Sequence, residues 1–255
     1  MKSIDFIKPG LLLFMLFLFP LGILSQETEV MIRVQSKDAK FIGTSLGGAR
    51  IIVKEEETGK ILSEGITRGS TGDTERIMNT PRTRGNRLTD ESTAGFLAKL
   101  DIDKPVFVTI EAIGPVSKKQ AAVKTTTQQW IIPGKHIKGE GIILEIPGFV
   151  VDILSPQTHE SLGANTEIEI TANVVMMCGC PVTEGGLWNA NDYKVNALIT
   201  REGKEEAEIA LKPLPKPSTF QGTINLSPGN YEITVYAFDP STGNTGLDKT
   251  NIIIQ

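Results

Sequence analysis

Residues 167–188 decide the fold class, and they read E-I-E-I-T-A-N-V-V-M-M-C-G-C-P-V-T-E-G-G-L-W. From Ile168 to Met176 every second residue is apolar, and the residues between them are mostly polar. Such alternation is typical of a β-strand that buries one face and exposes the other. The stretch therefore predicts a strand of an antiparallel sheet that ends beside two cysteines.

The remainder of residues 149–255 repeats this pattern. Further strand-like segments begin near Phe149, Tyr193, Ala207, Phe220, Tyr231 and Leu247. Turn-forming groups separate them, such as R-E-G-K at 201–204 and S-P-G-N at 227–230. About seven short strands, separated by turns, predict an immunoglobulin-like β-sandwich.

Residues 26–148 predict a first sandwich of the same kind. Strand-like segments begin near Val30, Ala49, Ile61, Phe96, Val106, Thr125 and Gly141. Residues 56–60 predict a hairpin turn in which Gly59 supplies a positive φ. Pro147-Gly148 is the expected boundary, so the chain is predicted to divide into residues 26–148 and 149–255.

Two segments resemble known families. The first is the order Gly43, Leu46, Gly48-Ala49, Ile51, Val53, Thr58-Gly59, Gly65 and Thr67, which resembles the opening of carboxypeptidase-regulatory-like, transthyretin-like domains. The second is S-P-G-N-Y-E-I-T-V-Y-A-F-D-P-S-T-G-N-T-G at 227–246, which resembles the late strands of bacterial Ig-like and fibronectin-III-like domains. The resemblances imply an all-β chain of two tandem Ig-like or transthyretin-like sandwiches, without catalytic function in the first.

Residues 1–25 have the composition of a signal peptide. Lys2 and Lys8 precede an apolar run from Leu11 to Leu24, which is shorter than the ~20 residues of a membrane span. We expect cleavage after Ser25, and an uncleaved membrane anchor is the alternative. The mature protein is therefore expected in the periplasm or outside the cell, where thiols tend to oxidise.

Charge and histidine content argue against several functional classes. A formal net charge of −4 gives no reason to expect nucleic acid as a partner. Residues 43–47 (G-T-S-L-G) match a hydrolase nucleophile pattern, but a β-branched strand follows where that pattern needs a helix. His136 and His159 fall in different halves, so no catalytic cluster is expected. His159 precedes the cysteine strand in sequence, which leaves open the alternative that it lies close to the cysteines in space.

Cys178 and Cys180 are the one place where chemistry is predicted. In an unbroken strand their Cα atoms would lie about 6.6–6.8 Å apart, so a bond between them requires Gly179 to bend the chain. The open alternatives are inert or locally bridged thiols, a copper(I) or other soft-metal site, thiol–disulfide exchange, and a cross-link to another molecule. The candidate metal ligands are Cys178, Cys180, Met176 and Met177.

Residues 68–93 form a long arginine-rich segment between two predicted strands. It is either a solvated insertion or a docking loop whose guanidinium groups bind carboxylate or phosphate, with Ile77 and Met78 as anchors. Trp188 is either a core residue or an exposed interface anchor. The candidate partner-binding residues are Arg76, Arg82, Arg84, Arg87 and Trp188.

These observations predict an exported, non-catalytic structural or interaction module of an extracytoplasmic assembly. Its expected partners are other extracytoplasmic proteins or further copies of itself, and a membrane only through an uncleaved signal segment. The alternative is a periplasmic soft-metal or thiol-redox protein that uses Cys178 and Cys180. Thiol-redox chemistry would be its one enzymatic activity.

Overall fold

A computed structural model of the chain describes residues 26–164 and 167–255, and the expected signal peptide lies outside these residues. Within the described ranges no helix is long and apolar enough to cross a membrane. The helical segments there are single turns, at Thr44–Leu46, Glu75–Asn79, Lys119–Ala121 and Ala190–Asp192. The predicted all-β class is confirmed.

From residue 26 onward, where the described part of the chain begins, the first sandwich has seven strands. They are β1 (Gln26–Ser36), β2 (Arg50–Glu55), β3 (Ile61–Ile66), β4 (Phe96–Ile102), β5 (Val106–Gly114), β6 (Val123–Ile131) and β7 (Ile137–Ile146). One sheet has the order β4-β1-β7, with β1 and β7 parallel, and the other has the order β3-β2-β5-β6. The inner faces of these two sheets, for example Ile32 and Ile110, are fully buried against each other.

In the second sandwich the described residues, 149–164 and 167–255, form nine strands. They are β8 (Phe149–Ser155), β9 (Glu160–Leu162), β10 (Glu167–Met176), β11 (Lys194–Arg201), β12 (Lys204–Ala210), β13 (Lys212–Pro213), β14 (Thr219–Asn225), β15 (Gly229–Phe238) and β16 (Thr245–Ile254). The sheets have the orders β13-β14-β10-β8 and β12-β11-β15-β16-β9. In β10 the alternation is as predicted, because Ile168, Ile170 and the following even-numbered residues are buried.

The turns follow from the residues that the sequence places in them. Gly59 has φ +72 in the turn between β2 and β3, as predicted. Glu202 and Gly203 both have positive φ between β11 and β12, which is the pattern of a tight two-residue hairpin turn. These turns set the antiparallel register of their hairpins.

Two residues join the sandwiches, because β7 ends at Ile146 and β8 begins at Phe149. Gly148 is buried there with φ +117, and a Cβ atom at this position would lie 2.5 Å from the carbonyl oxygen of Thr245. Glycine is therefore needed for the close passage of the two chain segments. Whether each half folds alone stays a prediction.

Candidate functional site

The two cysteines lie in a tight turn that follows β10. The amide of Gly179 donates to Met176 O at 2.7 Å, and the amide of Met176 donates to Cys180 O at 3.1 Å. Gly179 has φ +79, so the chain bends as the sequence argument requires for a bond between the neighbours. The Cα atoms of Cys178 and Cys180 are 5.4 Å apart, and the two residues form a disulfide.

This cysteine turn is buried between the two sandwiches. Cys178 is 1% exposed and Cys180 is 5% exposed. A Cβ atom at Gly179 would lie 3.1 Å from the Cγ atom of Leu46, which belongs to the Thr44–Leu46 turn of the first sandwich. The disulfide therefore shapes a turn that packs against the other sandwich, and its sulfur atoms are removed from solvent.

The remaining candidate metal ligands are placed in different parts of the molecule. Met176 is buried in the second core with both cysteines, whereas Met177 points into the first core. His159 follows the end of β8, and its amide donates to Asn251 O. The start of β8, where Phe149 pairs with Met176 next to the cysteine turn, is about 20 Å away along the strand. The alternative that His159 lies near the cysteines is wrong, because β8 and β10 run antiparallel and separate the two ends.

Trp188 reaches across the junction between the sandwiches. The side chain is 6% exposed, and its indole Nε1 donates to Asp38 O at 2.9 Å. Asp38 lies in a turn with φ +55, and the next residue, Ala39, is buried in the core of the second sandwich. Trp188 is thus placed as an internal contact of the chain, in line with the core alternative and not with an exposed anchor.

Further polar contacts close the junction. Asp152 accepts from Lys118 Nζ at 2.8 Å and from Gln120 Nε2 at 2.7 Å. On another side, Lys37 Nζ donates to Thr242 O at 2.6 Å. Within the second sandwich, Tyr193 packs edge-on against Phe149 with ring centroids 5.0 Å apart. Burial, together with the charges of nearby aspartates, raises the pKa of Tyr193 to about 12, so its phenol is neutral at physiological pH.

The arginine-rich segment 68–93 is tied down at both ends and at one helical turn, whereas residues 81–87 are exposed. Its ends are bridged through Arg68–Gly95 and Ser70–Thr93, and the single helical turn Glu75–Asn79 lies between them. Ile77 is buried, and Met78 packs against the core of the second sandwich. Both predicted anchors are therefore in contact with the body of the molecule.

The segment also encloses a groove of about 680 Å³ against β7. Arg76, Arg82 and Arg87 line this groove, whereas Arg84 is exposed but does not line it. We call this feature the arginine groove, lined by Asp73, Glu75, Arg76, Arg82, Arg87 and Glu140 among others. The structure thus brings three of the four candidate arginines together.

The acidic side chains of the arginine groove already accept hydrogen bonds from the chain. Asp73 Oδ1 accepts from the amide of Arg76 at 2.7 Å, and Glu140 Oε1 accepts from the amide of Leu88 at 2.8 Å. Glu75 Oε2 accepts from Asn79 Nδ2 at 2.7 Å. These carboxylates hold the loop in place.

Arg33 on β1 supports the same region and was not found from the sequence. It is 5% exposed, and its guanidinium donates to the carbonyl oxygens of Thr93, Ala94 and Gly139. Burial lowers the pKa of Arg33, and the charges of Asp90 and Glu140 act in the opposite direction. Arg33 therefore fastens the end of the arginine-rich segment to β7. The one signal in the sequence is a lone arginine between the apolar residues of β1.

Comparison with protein families and with characterised proteins finds no match. Among solved structures, the chain is similar to the fibronectin(III)-like modules of Clostridium thermocellum CbhA, with 14% identity, 81% of this chain and 77% of that chain covered, and a TM-score of 0.31. It is also similar to the chicken interferon gamma receptor alpha chain, with 10% identity, 90% and 98% coverage, and a TM-score of 0.31. An engineered protein matches 44% of this chain at 14% identity and a TM-score of 0.33, and the match spans 21% of that longer protein.

Proposed function

We propose that the protein is an exported, non-catalytic interaction module that presents the arginine groove to an acidic segment of a protein partner. The observation that carries the proposal is the position of Arg82 and Arg87, which line the groove and form no ion pair with any described residue. Planar guanidinium groups bind carboxylates through paired hydrogen bonds. The groove therefore offers donors that the fold itself does not use.

The acidic residues of the groove hold the loop, whereas the arginines stay available for a partner, which supports the proposal. Asp73 and Glu140 accept hydrogen bonds from backbone amides of the loop and keep its backbone in place, and Glu75 accepts from the side chain of Asn79. Ile77 anchors the loop in the apolar interior. These contacts fix the segment on both sides of residues 81–87, which shortens the stretch that must be ordered when a partner binds and lowers the entropy cost of binding.

Two features support export. Residues 1–25 have a basic start and an apolar run of signal-peptide length. The paired cysteines are a state that persists in oxidising compartments and is rare in the cytosol. Fractionation of cells that express the full-length gene tests this part of the proposal, and recovery of the protein only from the cytosol would contradict it.

Binding of a fluorescent hexaglutamate peptide tests the groove. We expect Arg82→Glu or Arg87→Glu to weaken binding about ten-fold, since each removes a charge-assisted hydrogen bond. Arg84→Glu is the matched control, because it makes the same charge change in the same loop outside the groove. Its effect is expected to stay below about two-fold. Equal losses for the three variants would mean that only the net charge of the loop matters.

The cysteine turn carries the second candidate function. The pair is bonded and buried beside Leu46, so we infer that its first role is to shape the junction. Exchange with an external thiol requires access to a sulfur atom, and binding of copper(I) requires both thiolates in reduced form. Metal analysis of protein that is purified with and without a dithiol reductant separates these roles. Copper retained at one equivalent by the reduced protein, and lost in Cys178→Ser, would favour a metal-binding function.

A further inference from the structure

Among the strands of the described residues, β6 has the least protected outer edge. β6 is the terminal strand of its sheet, has nine residues, and contains neither proline nor glycine. Its pairing with β5 runs without a bulge from Gly114–Val123 to Val106–Ile131. Lys124 is its only charged residue. Such an edge exposes a row of backbone donors and acceptors that can pair with another strand.

The other terminal strands of the four sheets are each blunted. β9 and β13 have three and two residues, and β12 carries four charged side chains. β3 and β7 have bulged registers, and β4 carries Lys99 and Asp101. The edge of β8 is covered by the segment before β6. In that segment Lys118 and Gln120 donate hydrogen bonds to Asp152 of β8. Natural sheets use these devices to prevent pairing at their edges, and β6 has none of them beyond one lysine.

A tryptophan marks the same strand. Trp130 is 62% exposed on the outer face of β6 and packs against Phe107 of β5, with ring centroids 5.2 Å apart. The contact with Phe107 covers part of the indole and leaves the rest open to a partner. Tryptophan is enriched among the residues that dominate protein interfaces.

The residues of β6 are complementary to a second copy of β6. When two copies run antiparallel about a two-fold axis at Thr127, each Lys124 lies opposite Trp130 of the second copy. Lys124 and Trp130 are both on the exposed face, so the ammonium group can approach the indole ring in a cation–π contact. Thr126 then faces Gln128, and no two like charges lie opposite each other. In this register all nine residues of β6 lie opposite a residue of the second copy.

We propose that β6 pairs with β6 of a second copy and joins two four-stranded sheets into one continuous eight-stranded sheet. Main-chain hydrogen bonds across the two-fold axis supply the affinity, and the Lys124–Trp130 contacts select the register. The arginine groove takes no part in this pairing. A result that contradicts the dimer therefore leaves the acidic-partner proposal unaffected, and the reverse also holds.

Sedimentation velocity of protein expressed from the full-length gene tests the pairing. We expect a dimer at high concentration that dissociates on dilution. The double variant Thr126→Glu with Gln128→Glu places two glutamate pairs in opposition across the axis, and it should weaken the dimer about ten-fold. The matched variant Thr126→Glu with Gln128→Lys changes the same two exposed positions but creates opposite charges, so the dimer should persist.

Cross-linking tests the register. Thr127 is the residue that faces its own copy at a Cα separation of about 4.5–5.5 Å, which lies within disulfide range. Under mild oxidation Thr127→Cys should form a covalent dimer, and Thr126→Cys, two positions out of register with its own copy, should not. A wild-type monomer at all concentrations, a dimer that both charge variants leave equally stable, or equal cross-linking at the two positions would overturn the proposal.

Discussion

The most informative single substitution is at Trp188, which joins the two sandwiches. Its side chain is 6% exposed and donates a 2.9 Å hydrogen bond to Asp38 O. Burial of an indole removes about 150–250 Å² of surface from water, and truncation of a buried tryptophan costs about 3–5 kcal/mol of unfolding free energy. We therefore expect Trp188→Ala to lower the free energy of unfolding by roughly this amount.

Two further variants divide that loss into its parts. Trp188→Phe keeps most of the apolar area but leaves Asp38 O without its donor, which should cost about 1–3 kcal/mol. Leu187→Ala is the matched control, because Leu187 is 50% exposed beside Trp188, and its effect should stay within about 0.5 kcal/mol.

Urea denaturation followed by far-ultraviolet circular dichroism measures all three variants without using tryptophan fluorescence. A second transition in Trp188→Ala would show that the two sandwiches unfold separately once this contact is lost. A loss below about 1 kcal/mol in Trp188→Ala would refute the assignment of the indole to a packed junction.

Three other outcomes are expected. Replacement of Cys178, Cys180 or both by serine opens the same three-residue loop. Urea denaturation should therefore show the same loss of about 1–2 kcal/mol in the free energy of unfolding for each variant. Unequal losses would contradict a bond between the two residues. Ile77→Ala should cost about 2–4 kcal/mol and speed tryptic cleavage of the arginine-rich segment, and unchanged cleavage would mean that Ile77 is not its anchor. Side-chain hydrogen bonds from Ser92 and Thr93 lower the pKa of Asp90. The carboxylate therefore stabilises the folded protein at pH values above its pKa in the unfolded chain, and this stabilisation is lost as the pH falls through its pKa in the folded protein. The difference in urea midpoint between wild type and Asp90→Asn should therefore shrink as the pH falls from the ordinary aspartate pKa of 3.8 towards the lower folded pKa, and a constant difference would contradict this role.

Local patterns in the sequence were sufficient for the longer strands and several turns, whereas the short strands β9 and β13 were not predicted. The alternation in β10 and the glycines at positions 59 and 203 act through side-chain direction and backbone φ, which depend on neighbouring residues alone. The requirement that Gly179 bend the chain between the cysteines also follows from the rise of a strand, and the structure has that bend.

The junction could not be predicted in this way. Met176 and Met177 are neighbours, yet they are buried in different cores, because a strand end that lies between two sandwiches has an interior on both sides. The distance between His159 and the cysteines depends on which strands pair, and the order β13-β14-β10-β8 is not encoded in any local period. Arg33 likewise acquires its role from backbone carbonyls that are about 60 to 106 residues away.

Hydrogen exchange with and without the hexaglutamate peptide shows whether the arginine groove receives an acidic partner. We expect slower exchange of backbone amides in residues 73–88 and in the facing part of β7 when the peptide is bound, with no change along β6. Unchanged exchange at the arginine groove under saturating peptide, or protection confined to another surface, would contradict it.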